Sequence, residues 1–166
     1  MYEYKLARNN NSIRGDNSLY RQLDAQMPKL PLPIRIHETR KKFQGKAEQS
    51  LTMRGFSNFQ ENQFYKLKEN SPLESISPRR GFIRCKNYKI TYDIFCFKQN
   101  KGPTYIPGKA GLLWTVNGQT HAISNKNLFT SDKVGFNSIV NDLIIVIDCT
   151  SIEGADREDF FKSSRD

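Results

Sequence analysis

The run Leu143-Ile144-Ile145-Val146-Ile147-Asp148-Cys149 decides the fold. Extended chain sends alternate side chains to opposite faces, so five consecutive aliphatic residues make both faces apolar. Such a strand belongs in the middle of a sheet, covered on each side. Its nearest strong companion is Tyr88-Lys89-Ile90-Thr91-Tyr92-Asp93-Ile94-Phe95-Cys96-Phe97, with Tyr88, Ile90, Tyr92, Ile94 and Cys96 on one face. Phe82-Ile83-Arg84-Cys85 leads into it through Lys86-Asn87. Between these strands and the central run lies Leu112 to Val116, then Asn117-Gly118, then Gln119 to Ile123. Asn-Gly between two such runs is the strongest short hairpin signal, because both turn residues need positive φ.

Outside these strands the pattern is looser. Residues 98–110 read as a Gly-, Pro- and Lys-rich loop, and Gly135 to Val140 as a short helix. Asp156 caps a last helix through Lys162, with acids in the first turn to suit the helix dipole. Upstream, Leu19, Tyr20, Leu23 and Met27 share helical spacing and Pro28 ends that helix. Pro31 and Pro33 flank Leu32 to Ile36, an edge strand, since each proline removes a ladder donor. Residues 43–80 show no period and read as a mobile insertion. The expected fold class is α+β: a mixed or antiparallel sheet of five to seven strands with helices mainly on one face.

The chain has 166 residues, long enough to bury one core without metal or disulfide. Hydrophobic residues make 37%, and 11 Phe with 7 Tyr add buried area, which excludes disordered and collagenous classes. No run of about 18 apolar residues exists to span a bilayer as a helix. Cys85, Cys96 and Cys149 are too scattered for a metal knuckle and odd in number for a disulfide framework. With no apolar leader after Met1, these cysteines suggest a reducing, cytoplasmic location.

The net charge is +9. Residues 1–80 hold 15 Lys and Arg against 8 Asp and Glu, and residues 81–166 hold 11 against 9. The excess makes nucleic acid the first partner to consider, with Arg35, Arg40, Lys41, Lys42 and Lys46 as the contact cluster. Exposed aromatics on the 88–97 strand would add platforms for bases. The bland reading is an ordinary solvated basic surface. His37 and His121 have no partner at ligand spacing, so no metal is assigned. Gly102-Pro103 to Gly111 could cradle a phosphate, although it does not lead from a strand into a helix. No nucleophile elbow, Walker loop or dinucleotide fingerprint is present. Arg157, just after the central strand, offers a planar fork suited to phosphate; the bland alternative is a surface ion pair.

The segment LIIVIDCTSIEGADREDFFKSSRD resembles the end of the second domain of ATPases in the gyrase, heat-shock chaperone, histidine kinase and MutL superfamily (GHKL). Asp156-Arg157-Glu158 matches a Ser-Arg-Glu helix start in that family, with Asp for Ser. MYEYKL resembles the last strand of a nucleotide-binding domain, and SLYRQLDAQMPKLPLPIRIHETR the crossing into the transducer domain. The hairpin LLWTVNGQTHAI resembles paired transducer strands. The resemblance implies that residues 1–6 end a preceding domain and 7–166 form a left-handed βαβ transducer. It implies Arg157 and Lys133, with Lys126 as rival, as sensors of the ATP γ-phosphate. ATP and magnesium would enter only through a nucleotide-binding domain or chain. The full-length protein would form a homodimer, and the isolated chain would be inactive. The family's Glu/Asn helix and Asp-x-Gly loop are not found in this sequence. The alternative expectation is a non-catalytic basic module that binds nucleic acid or another partner.

Overall fold

The computed structural model describes residues 22–23, 26–30, 32, 34–41, 44–46, 50–53, 72–106 and 108–162. The expectations for residues 1–6, Leu19, Tyr20 and Lys42 lie outside the described residues, as do residues 54–71 within the proposed insertion.

The elements are β1 (Ile34–His37), β2 (Ser50–Met53), β3 (Arg79–Cys85), β4 (Tyr88–Cys96), α1 (Gly102–Tyr105), β5 (Ala110–Val116), β6 (Gln119–Asn125), a 3-10 helix (Lys126–Thr130), β7 (Leu143–Asp148) and α2 (Gly154–Lys162). Strands β1 and β2 form a separate antiparallel ribbon. The other five form a mixed sheet in the order β3-β4-β7-β5-β6, giving an α+β fold. The aliphatic run is the central strand, antiparallel to β4 and parallel to β5. Two hairpins, β3–β4 and β5–β6, thus lie side by side with β7 between them. The parallel pair β5 and β7 is linked through β6 and the 3-10 helix; no helical βαβ crossover joins these two strands.

Each face of the sheet buries its own cluster. On one face Phe95, Phe97, Leu113, Ile144 and Val146 pack with Leu73 and Ile106. On the opposite face Ile90, Val116, Cys149 and Ile152 pack with Tyr88, Trp114, Ile147 and the two phenylalanines of α2, Phe160 and Phe161. The register explains the split, since Phe95 pairs with Ile144 while Tyr92 and Trp114 both pair with Ile147. The Phe160 ring meets Trp114 edge-on at 5.3 Å and so anchors α2. That helix covers only the end of the sheet where β7 finishes. Among the described residues nothing covers the first face at the β3–β4 turn, where Phe82 is exposed.

The Asn117-Gly118 turn is present, with φ of 51° and 78°. Gly118 has a second constraint: a Cβ there would collide with the Lys29 carbonyl oxygen, where the upstream segment packs against the turn. Residues 135–140 form turns rather than the expected helix. Gly135 has φ 69°, and the following bonds, Ile139 N–H to Phe136 O and Asp142 N–H to Ile139 O, are of the i+3 kind. The 98–110 loop contains α1, opened by Pro103 in its first turn. The irregular reading of 43–80 missed β2 and the buried Leu73, which bridges to Phe97. Both are single short pairings, below what a periodicity can reveal.

Candidate nucleic-acid interface

Strand β3 is RRGFIRC, and the two-residue turn Lys86-Asn87, with Lys86 at φ 52°, returns the chain as β4. The pairing opposes Arg80 to Asp93, Phe82 to Thr91 and Arg84 to Lys89. All six side chains share the open face. Phe82 is 52% exposed. The Lys89 ammonium sits 4.6 Å from the Phe82 ring centroid, a cation–π contact. Arg80 donates from Nε to Asp93 Oδ1 at 2.9 Å. Arg84 and Lys89 stand directly opposite each other as like charges, which is unfavourable without an anion between them. An exposed aromatic ring is thus ringed by Arg80, Arg84 and Lys89, with Asp93 as the one acid among them.

This is not the aromatic arrangement expected from the sequence. Tyr88 and Tyr92 point to the other face and are half-buried, and Phe95 and Phe97 are core. The exposed ring comes from the preceding strand. The alternation Arg80-x-Phe82-x-Arg84 carried the signal: period two places all three on one face.

The turn also closes on α2. Lys86 Nζ and the Tyr88 hydroxyl both donate to Asp156, to Oδ1 and Oδ2 respectively, each at 2.8 Å. Hydrogen bonds from Lys86 and Tyr88 hold the Asp156 carboxyl below its ordinary range. The Asp156 carboxylate in turn raises the Lys86 ammonium and the Tyr88 phenol. A cleft of about 180 Å³ lies beneath, floored by Ile90, Ile152 and Phe160 and edged by Cys85 and Asp159.

Arg157 is half-buried and spent on backbone: Nε donates to Ile152 O at 2.7 Å and one terminal nitrogen to Thr150 O at 3.3 Å. It fastens the loop between β7 and α2. Lys133 is exposed in the turn after the 3-10 helix, which packs at the Gly111 end of β5. Arg157 follows Asp148, which pairs with Thr115 at the other end of β5. The structure therefore does not bring Arg157 and Lys133 together. Lys126 donates to Asn141 Oδ1 at 2.6 Å, away from Arg157 as well.

The basic cluster on the ribbon is partly engaged. Arg35 on β1 is exposed, as are Lys41 and Lys46 in the connection to β2, while Arg40 is paired with Glu38. The glycine-rich loop holds a carboxylate of its own chain. Asp142, 6% exposed, accepts from the backbone N–H of Gly102 at 2.7 Å and of Asn100 at 3.0 Å. These donors are the ones a phosphate cradle would need. His37 Nδ1 lies 2.7 Å from Ser50 Oγ across the ribbon, and the His121 ring lies 5.5 Å from Phe161.

Comparisons of the chain with protein-family models, with curated proteins and with solved structures find no match.

Proposed function

We propose that this chain is a non-catalytic binding module that takes single-stranded nucleic acid on the open β3–β4 face. The observation behind the reading is the exposed Phe82 ring with Arg80, Arg84 and Lys89 around it. A base that stacks on the ring displaces Lys89 to its edge, where the ammonium meets the adjoining phosphate. The anionic backbone also relieves the repulsion between Arg84 and Lys89. Every base has a π-face, so this chemistry favours single strands over a duplex and tolerates sequence variation. Arg35, Lys41 and Lys46 on the β1–β2 ribbon extend the positive surface.

The test is fluorescence anisotropy with a labelled oligothymidylate. Phe82→Ala removes the platform and leaves the charges; stacking of about 1–3 kcal/mol per base sets a loss of roughly fivefold or more. Equal affinities for Phe82→Ala and the parent chain would refute stacking on this ring.

A second reading is the transducer half of a GHKL-type ATPase. In its support, β7 is central and α2 with Arg157 follows it after a short loop, as the resemblance requires. Under this reading ATP and magnesium are held by a preceding nucleotide-binding domain. Reading the coding sequence upstream of Met1 tests it: an adjoining segment with a Glu/Asn helix and an Asp-x-Gly loop supports the reading, and an unrelated segment or a stop codon retires it.

A further inference from the structure

We infer that the outer edge of β3, unpaired among the described residues, accepts an acidic, extended peptide as an additional antiparallel strand of the sheet. Strand β3 pairs with β4 on one side and, among the described residues, ends the sheet order on the other. The two-residue turn makes Cys85 and Tyr88 a hydrogen-bonded pair, and antiparallel pairs alternate. Ile83 with Ile90 and Gly81 with Tyr92 are then bonded pairs too. The backbone groups of Arg80, Phe82 and Arg84 point the other way, to solvent. The edge presents three N–H donors and three C=O acceptors in a line, at the spacing of another strand.

That alternation of donors and acceptors selects a peptide. A DNA backbone offers only acceptors and cannot satisfy the outward carbonyls, and the 2′-hydroxyls of RNA do not repeat at the alternation of a strand edge. The side chains select its charge. Arg79, Arg80 and Arg84 lie on β3, which carries no acid. A second copy of the chain is disfavoured by the same charges: antiparallel self-pairing centred on Phe82 puts Arg80 opposite Arg84. An acidic strand reverses that sign. Its sequence follows from register. Reading antiparallel, an acid faces Arg84, an apolar residue faces Ile83, an apolar residue faces Phe82, a small residue faces Gly81, and an acid faces Arg80. Ile83 and Phe82 are 53% and 52% exposed, on opposite faces, so the incoming strand finds apolar surface both above and below. The recognised element is therefore two acids four residues apart around an apolar centre. This mode uses the strand edge rather than the ring face, and it stands independently of the nucleic-acid reading.

The probe is a capped ten-residue peptide containing Glu-Val-Val-Thr-Glu, with Lys-Val-Val-Thr-Lys as the control, added to the whole ¹⁵N-labelled chain. Saturable binding of the acidic peptide is expected to slow amide exchange at Arg80, Phe82 and Arg84. Gly81 and Ile83, already bonded to β4, keep their rates. Arg84→Ala is expected to weaken binding by about two- to fivefold, the loss of one exposed ion pair. Arg84→Pro, which also removes an outward N–H, is expected to weaken it by about a further fivefold. The exchange pattern on the parent chain decides the matter even if Arg84→Pro fails to fold. The inference is overturned by no saturable binding, by equal binding of the basic peptide, or by protection that spares these three amides. It is also overturned if they are already protected in a dimer of the free chain, or if oligothymidylate slows them and the acidic peptide does not.

Discussion

Arg157 shows how a residue that suggests phosphate chemistry can serve the backbone. The loop from β7 to α2 exposes carbonyl oxygens at Thr150 and Ile152, and the guanidinium reaches both. Its planar fork, which fits phosphate oxygens, fits two carbonyls equally well. Charge-assisted bonds of this kind are worth about 1.5–3 kcal/mol before exposure discounts them. We expect Arg157→Ala to lower the unfolding free energy by about 2 kcal/mol in urea denaturation, with Arg157→Lys intermediate because an ammonium can reach one carbonyl. No change in the urea midpoint on Arg157→Ala would contradict this fastening role. The sequence shows the Arg and its place after the central strand; which oxygens it meets depends on the path of a loop with no periodic signal. Cys149 is a simpler case. A thiol just past an aliphatic run is read from sequence as buried and inert, and burial pushes its pKa up to about 11.

Among the elements, α2 is held by rings on one side and by the Lys86–Asp156–Tyr88 latch at its start. The latch sets a pH window. The folded-state pKa of Asp156 is depressed, so its contribution is present above the ordinary carboxylate value of about 4 and is lost as pH falls through the lowered value. Lys86 and Tyr88 are raised, so their contribution is present below about pH 10 and is lost as pH rises through the raised values. Unfolding free energies of the parent chain and Asp156→Asn should therefore differ most at neutral pH and converge toward both extremes. A difference that stays constant from pH 3 to 11 would show that the latch carries no stability. The sequence places Asp156 at the cap of the last helix; α2 instead begins at Gly154 with Asp156 inside its first turn, and the two partners of its carboxylate lie some 70 residues away on another hairpin. Only the closing of the sheet brings them near.

At the scale of the molecule, positive charge is arranged rather than merely abundant. The net charge of +9 predicts attraction to polyanions but not where they dock. The β3–β4 face gathers Arg80, Arg84 and Lys89 beside one exposed ring. If these three engage phosphates, the logarithm of the single-strand binding constant should fall against the logarithm of salt concentration with a slope near −2, at about −0.7 per phosphate. Arg84→Ala should make that slope shallower by about 0.7, read by repeating the titration from low to moderate salt. A slope near zero would mean that charge does not hold the nucleic acid.

The sequence by itself determined the local frame. The both-faces-apolar run Leu143 to Val146 specified a central strand, Asn117-Gly118 a hairpin turn, and the Asp156 region a closing helix, because period and turn chemistry are properties of neighbouring residues. Tertiary structure alone decided which strands flank β7, what β2 and Leu73 pair with, and which charges remain available. Register pairs Phe82 with Thr91 and Arg84 with Lys89, long-range packing commits Arg157 to carbonyls and Gly102 to Asp142, and α2 packs on one face while no described element covers the β3–β4 end of the other. Those outcomes rest on contacts between residues distant along the chain, and a local pattern contains no information about which distant surface will arrive to cover it.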